Sequence, residues 1–135
     1  MNTLKIEYNL PYDTSGFNSG LIHWYNQLID KSYDELDVAD VCKMIRQDIL
    51  KDIAIQKAIV LFMNDPYAGE YDDGGLLGVL NTLDIKQLSL PIQKALGELL
   101  KELRQDYINF EWQNEKTEIN YVKNIDLVLG KLAPY

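Results

Sequence analysis

His23 is the residue whose type could support proton transfer, because an imidazole exchanges its proton near neutral pH. It is the single histidine of the sequence and stands beside Trp24 in a mostly apolar stretch. A general base needs a nucleophile and an orienting third group within hydrogen-bond reach. No serine, cysteine or acid stands at a spacing that would bring such a partner to His23, so we predict no catalytic role for it.

Cys42 is the single cysteine, which excludes an intramolecular disulfide and favours a reducing compartment. Its neighbours Val38, Val41 and Ile45 recur at helical spacing and form one apolar face. We therefore expect a buried structural thiol rather than a nucleophile.

The segment between Asn64 and Leu76 contains carboxylates and glycines that raise the question of a cation or phosphate site. Counted from Asp65, the acids fail the calcium-loop pattern, which needs alternate oxygen ligands, a glycine at position six and a glutamate at position twelve. The glycines do not form a phosphate loop, because no strand precedes them and no Lys-Ser/Thr pair follows. We predict no catalytic, cofactor-binding or metal-ligating residue, and hence a protein that is not an enzyme.

The same segment has the composition of a surface that binds another protein. Tyrosine supplies large, stiff contact area, and carboxylates steer a basic partner. A second group of this kind precedes the helix that carries Cys42. The alternative for the tyrosines is that their rings cover the core and leave the hydroxyls in water. The predicted partner-binding residues are Tyr33, Asp34, Glu35, Asp37, Tyr67, Glu70, Tyr71, Asp72 and Asp73.

The charge of the chain narrows the class of partner. The net charge is −8, from 21 acids against 13 bases, and residues 30–73 hold eleven of the acids but only five bases. Such a surface repels phosphate backbones, which disfavours direct nucleic-acid binding and favours a basic protein partner. With 135 residues, of which 47% are hydrophobic, the chain is expected to form one globular domain.

Apolar residues recur at steps of three and four in most of the chain, which predicts an all-α fold of about five to six helices. The helices are expected at about 21–29, 38–47, 49–63, 75–83, 90–110 and 117–132, of which the sixth could also be a strand. The helix that Ser89 caps is expected to be the longest. Residues 1–20 are expected to form a short irregular arm, either a strand or an extended segment followed by a loop. The predicted N-caps are Asn18 or Ser19, Ser32, Asp37 and Ser89, and Pro66 is expected to end the third helix.

The N-terminal residues lack the charged and apolar regions of a signal peptide, and no stretch has the length of a membrane span. We therefore expect a cytoplasmic protein without a membrane-spanning segment.

Four consecutive features carry a family resemblance. They are Cys42-Lys43-Met44-Ile45-Arg46-Gln47-Asp48-Ile49, the apolar segment 53–63, Asn64-Asp65-Pro66-Tyr67-Ala68, and Gly74-Gly75-Leu76-Leu77-Gly78-Val79-Leu80. Over residues 21–82 the chain resembles the immunity proteins of bacterial contact-dependent growth inhibition (CDI) systems. It departs from that pattern where Asp65 separates Asn64 from Pro66, and where Asp72 and Asp73 precede the glycines. Residues 83–135 lie outside the resemblance and are expected to form long C-terminal helices.

The resemblance implies a cytoplasmic inhibitor without a cofactor, whose partner is the toxic C-terminal domain of an effector delivered by a neighbouring cell. Many such toxins are nucleases, such as tRNases, and their substrate clefts are electropositive. The alternative is a helical adaptor or scaffold that docks a partner through the apolar face from Ile92 to Phe110. That face is expected to lie in the core, as is usual for a long helix in one domain. The oligomeric state stays open.

Overall fold

The computed structural model of this chain describes residues 2–15 and 19–132. Within these residues the chain forms seven α-helices and no β-strand, so the predicted all-α class is confirmed. The helices are α1 (Leu4–Glu7), α2 (Gly20–Ile29), α3 (Val38–Gln47), α4 (Lys51–Asn64), α5 (Gly75–Leu80), α6 (Leu90–Asp106) and α7 (Glu115–Leu132). Three short 3-10 helices accompany them at Tyr33–Glu35, Ile85–Gln87 and Tyr107–Asn109.

Side-chain caps lie at the starts of α2, α3 and α6 as predicted, whereas α4 and α5 begin without one. The Ser19 hydroxyl accepts the Ile22 N–H at the start of α2, while Asn18 lies outside the described residues. The Asp37 carboxylate accepts the Asp40 N–H at 2.8 Å, and Asp40 accepts the Asp37 N–H in return. These bonds satisfy backbone donors that a first helical turn leaves without partners. Ser89 caps α6 in the same way, and Ser32 forms the predicted capping box with Glu35.

The structure corrects four predictions, which concern three elements. The N-terminal arm contains the one-turn helix α1 where a strand or an extended segment was expected, and the strand-like feature within its residues 2–15 is an isolated bridge from Thr3 to Ser32. Helix α5 ends at Leu80 rather than near residue 83. Helix α6 ends at Asp106, so the 3-10 turn that follows removes Phe110 from the helix. With 17 residues, α6 is also one residue shorter than α7.

Helix α5 lies at the centre of the described fold. It contacts α3, α4 and α7, and its Leu76, Leu77 and Leu80 are fully buried. Phe62 from α4 and Tyr121 from α7 are the largest fully buried side chains in the same core. The burial of these apolar surfaces holds together α4 and α5, the helices on either side of residues 65–74.

The apolar face expected from Ile92 to Phe110 belongs mainly to the core. Leu96 and Leu103 are buried, and Leu99 is half-buried against them. Only Ile92, at 37% exposure, remains substantially open at its N-terminal end. No helix in residues 2–15 and 19–132 combines the length and apolarity needed to cross a membrane.

Candidate functional site

The loop that joins α4 to α5, residues 65–74, is here called the acidic loop. It is folded on itself by backbone hydrogen bonds, among them Gly74 N–H to Tyr67 O at 2.6 Å. Its tight course requires glycine at position 69, where a Cβ atom would lie 1.8 Å from the Asp72 carbonyl oxygen. Gly74 is also required, because its φ of +75° is a left-handed conformation that other residues adopt at a cost. The loop therefore has a defined backbone conformation.

Of the predicted residues in the loop, one tyrosine and two carboxylates face outward, and Asp65 at the start of the loop is exposed as well. Tyr71 is 81% exposed, Asp72 is exposed and Asp73 is half-exposed. Glu70 differs, because its carboxylate lies 2.7 Å from Nη1 of Arg46 and is only 12% exposed. The hydrogen bond to Glu70 raises the pKa of Arg46. The charge of Glu70 is therefore already balanced within the chain.

Tyr67 packs inward, in agreement with the alternative that tyrosine rings cover the core rather than bind a partner. Its ring stacks on Phe110 with 4.2 Å between centroids, and its hydroxyl donates a hydrogen bond to Asp106 at 3.2 Å. Burial, with a further contribution from Asp106, raises the pKa of Tyr67 to about 12. Most of its contact area is therefore engaged inside the chain.

The second predicted group, residues 33–37, precedes α3. Asp34 is exposed, and Glu35 and Asp37 are exposed although each also closes a capping box. The bond from the Ser32 N–H lowers the pKa of Glu35, which keeps its carboxylate charged. Tyr33 is half-buried, with the Lys57 ammonium 4.8 Å from its ring centroid. This group presents three carboxylates beside a partly exposed aromatic ring.

Helix α3 separates the two groups. Asp37 caps its first turn, whereas Arg46 in its last turn holds Glu70 of the acidic loop. Ten helical residues at 1.5 Å per residue place these two ends about 15 Å apart. Apart from Tyr67, which packs inward, the predicted residues therefore form two patches at the ends of one helix rather than one cluster.

Cys42 lies between these ends and is 1% exposed. Burial raises the pKa of its thiol to about 11, and the nearby Glu70 contributes to this shift. The protonated thiol is a poor nucleophile. His23 is exposed on α2, and within the described residues no three His, Cys, Asp or Glu side chains converge as a metal site.

Two features escaped the sequence-based prediction. The first is an apolar groove of about 530 Å³ lined by Tyr33, Ile55, Ile59, Val60, Met63 and Ile92. The sequence of α4 does indicate this groove, because all residues of the segment 58–63 are apolar. Since only one side of the helix packs on the core, the apolar residues on its other side stay exposed.

The second feature is an aromatic cluster beneath the acidic loop, formed by Tyr67, Phe110, Trp112 and Tyr121. Trp112 lies 4.7 Å from Phe110 and 4.9 Å from Tyr121 between ring centroids. Its indole N–H donates to the Tyr107 carbonyl oxygen at 2.9 Å. No local pattern indicated this cluster, because its members come from three segments of the sequence.

The fold and this surface define a small all-α protein with two acidic patches along one helix. The family model described as CDI immunity proteins matches residues 7–103, and the chain belongs to this family. The match extends beyond the resemblance over residues 21–82 in both directions. No curated protein matches the chain. Family membership gives the chain an immunity role, in a family that is generally non-enzymatic, and implies a cognate CDI toxin as its partner.

Proposed function

We propose that this chain neutralises its cognate CDI toxin by covering a cationic surface of the toxin domain with the two acidic patches. The observation that carries the proposal is the acidic loop, which is fixed in conformation yet leaves Tyr71 and Asp72 exposed. An exposed tyrosine beside carboxylates combines contact area with electrostatic steering, which suits a basic protein partner.

The proposal further states that the toxin is a nuclease, such as a tRNase. A nuclease cleft must be electropositive to hold the phosphate backbone of its substrate. The net charge of −8 and the acid-rich residues 30–73 are complementary to such a cleft. Binding there would exclude the nucleic acid by charge and by volume, and would require neither a cofactor nor catalysis by this chain.

The nine predicted residues differ in how exposed they are and in whether they already have a partner within the chain. We assign direct toxin contact to the outward residues Asp34, Tyr71, Asp72 and Asp73, and to the exposed carboxylates of the caps. Tyr33, Tyr67 and Glu70 are half-buried or paired, and we assign them contact through their remaining exposed edges. The direct contacts are therefore expected to dominate the affinity.

The proposal is tested first in cells. The toxic C-terminal domain of the effector encoded immediately upstream is expressed with and without this chain supplied in trans. Rescue of growth together with co-purification of the two proteins is the expected result. Continued toxicity with both proteins well expressed would refute immunity for that pair.

The binding surface is tested by charge reversal. The double variant Asp72→Lys/Asp73→Lys is expected to slow association with the toxin domain about 10-fold or more, because steering depends on local charge. The matched control is Glu98→Lys/Glu102→Lys on the exposed face of α6, which makes the same change in net charge. Equal loss in both variants would indicate an effect of total charge, and no loss in the loop variant would remove the acidic loop from the interface.

The alternative of an adaptor that docks through the Ile92–Phe110 face has little exposed surface left, because most of that face is buried. Ionic strength separates the two functions. Electrostatic steering weakens as added salt screens the charges, whereas docking through an apolar surface changes little. We therefore expect the association rate with the toxin domain to fall steeply between low and physiological salt.

A further inference from the structure

Both ends of the acidic loop are tied to residues that follow Leu103, where the family match ends. At the start of the loop, the Tyr121 hydroxyl donates a hydrogen bond to the Pro66 carbonyl oxygen at 2.8 Å. Near its end, the Asp73 N–H donates to Oε1 of Gln113 at 3.1 Å. The loop sequence belongs to the matched region, but these two anchors do not.

The aromatic cluster adds a third attachment between the same two parts of the chain. The Tyr67 ring contacts Phe110, Trp112 and Tyr121, with centroids 4.2, 5.6 and 5.3 Å away. Three of these four rings belong to residues that follow the matched region, and the fourth, Tyr67, belongs to the acidic loop. The cluster therefore fixes the inward side of the loop while the outward side stays exposed.

Gly74 shows how closely the loop lies on α7. A Cβ atom at this position would lie 2.3 Å from Cδ1 of Tyr121, so backbone and ring are in direct contact. On its other side, the loop is held by the ion pair between Glu70 and Arg46 of α3. The loop is thus held on one side by Arg46, which lies in the matched region, and on the other side by residues 106–121, which do not.

We infer that Gln113, Trp112 and Tyr121 are positioning residues for toxin binding, which hold the acidic loop in the conformation that presents Tyr71 and Asp72. This inference rests on the function proposed above. A loop that is ordered before binding loses less conformational freedom when the complex forms. The apparent affinity also scales with the fraction of molecules whose loop is in the competent conformation.

It follows that part of the recognition apparatus lies outside residues 7–103, which match the family model. Exchange of residues 106–121 would alter the presentation of the loop without changing any contact residue. Relatives with the same loop sequence but another C-terminal segment are then expected to differ in toxin affinity.

The test uses Gln113→Ala, because Gln113 is exposed and its loss leaves no cavity in the core. The control is Gln105→Ala on the exposed face of α6. The probe is the toxic C-terminal domain of the effector encoded immediately upstream. We expect Gln113→Ala to raise Kd about 5- to 10-fold, because the loop loses one hydrogen bond that holds it in the binding conformation. The slope of affinity against salt is expected to stay unchanged, since no charge is altered.

Two further measurements separate positioning from general destabilisation. Hydrogen exchange of the Asp73 amide is expected to accelerate in Gln113→Ala while the melting temperature stays the same. In the Asp72→Lys/Asp73→Lys background, Gln113→Ala is expected to have a smaller further effect on Kd, because part of what the positioned loop presents to the toxin has already been removed. Fully additive losses would contradict positioning.

The outcomes distinguish this inference from the proposed function. If charge reversal in the loop weakens binding as expected but Gln113→Ala binds like the unchanged chain, the positioning role is refuted and the proposed surface stands. If charge reversal itself leaves Kd unchanged, the acidic loop is not the interface and both proposals about it fail.

Discussion

The Tyr121 hydroxyl donates a hydrogen bond to the carbonyl oxygen of Pro66, which lies 55 residues earlier in the sequence. Helix α4 ends at Asn64 because Pro66 disfavours helical geometry at the residue before it and supplies no backbone donor. The Pro66 carbonyl lies two residues beyond the end of α4, at the start of the acidic loop, so it has no partner within the helix. Tyr121, which is 1% exposed on α7, supplies its donor and joins the start of the loop to the last helix.

The first prediction concerns this bond. Tyr121→Phe is expected to lower the free energy of unfolding by about 1–2 kcal/mol, because it leaves the Pro66 carbonyl without its donor while retaining the ring. Urea denaturation followed by circular dichroism measures the change. Tyr71→Phe is the control and is expected to stay within about 0.5 kcal/mol, because Tyr71 is exposed. Equal stability of the Tyr121→Phe variant would show that water replaces the bond without cost.

The second prediction concerns the contact between Gly74 and Tyr121. Gly74→Ala is expected to destabilise the fold by more than about 1–2 kcal/mol, from left-handed strain together with the overlap between the new Cβ and the ring. Gly130→Ala is the matched control, because its Cβ meets nothing within 4 Å and the residue lies in α7. That variant is expected to gain up to about 1 kcal/mol from helix propensity. Thermal unfolding of both variants gives the comparison, and similar melting temperatures would contradict the close contact.

Local chemistry explains which parts of this fold were predictable. The caps at Ser19, Asp37 and Ser89 each depend on a side chain and a backbone donor three residues away. The stop before Pro66 likewise depends on neighbouring residues alone. Such rules need no knowledge of tertiary structure. The single turn of α1 escaped them because four residues are too few to show a helical period.

The candidate site was only partly predictable, because tertiary contacts decide which of its residues are free. The sequence placed Glu70 and Tyr67 among the exposed candidates with the same justification as Tyr71. Arg46 pairs with Glu70 from 24 positions away, and Phe110 stacks on Tyr67 from a segment after α6. Neither partner stands at a spacing that a helix or a hairpin would bring together.

The third prediction concerns alkaline pH. The pKa values of Cys42 and Tyr67 are raised to about 11 and about 12, from ordinary values of 9.0 and 10.0, chiefly by burial. The pKa of Tyr121 is raised by burial as well. Above pH 9 the unfolded chain loses these protons while the folded chain keeps them, so the unfolded state binds fewer protons. Stability is therefore fully present below about pH 9 and falls as the pH rises towards 12.

The expected result is a melting temperature that is level from about pH 7 to 8.5 and declines from about pH 9 upward. Each group contributes less than about 1.4 kcal/mol per pH unit, since partial exposure weakens the effect of Tyr67. Tyr67→Phe removes one titrating group and is expected to make the decline above pH 10 shallower. A decline of the same slope in that variant would exclude Tyr67 as a contributor.

The last prediction uses Cys42 as a reporter of unfolding. Its thiol is 1% exposed, and a pKa of about 11 instead of 9.0 reduces the thiolate fraction at pH 8 by about 100-fold. We expect a thiol reagent to label the folded chain at least about 100-fold more slowly than the chain in urea. Rapid labelling of the folded chain would show that Cys42 is accessible.

If labelling proceeds only through unfolded molecules, its rate is proportional to their population whenever refolding outpaces the reaction. The Tyr121→Phe variant, destabilised by about 1.4 kcal/mol, would then label about 10-fold faster. The Tyr71→Phe control would label at the original rate. An unchanged rate in Tyr121→Phe, together with a lower stability in urea, would mean that Cys42 is exposed by a local opening near α3 rather than by unfolding of the whole core.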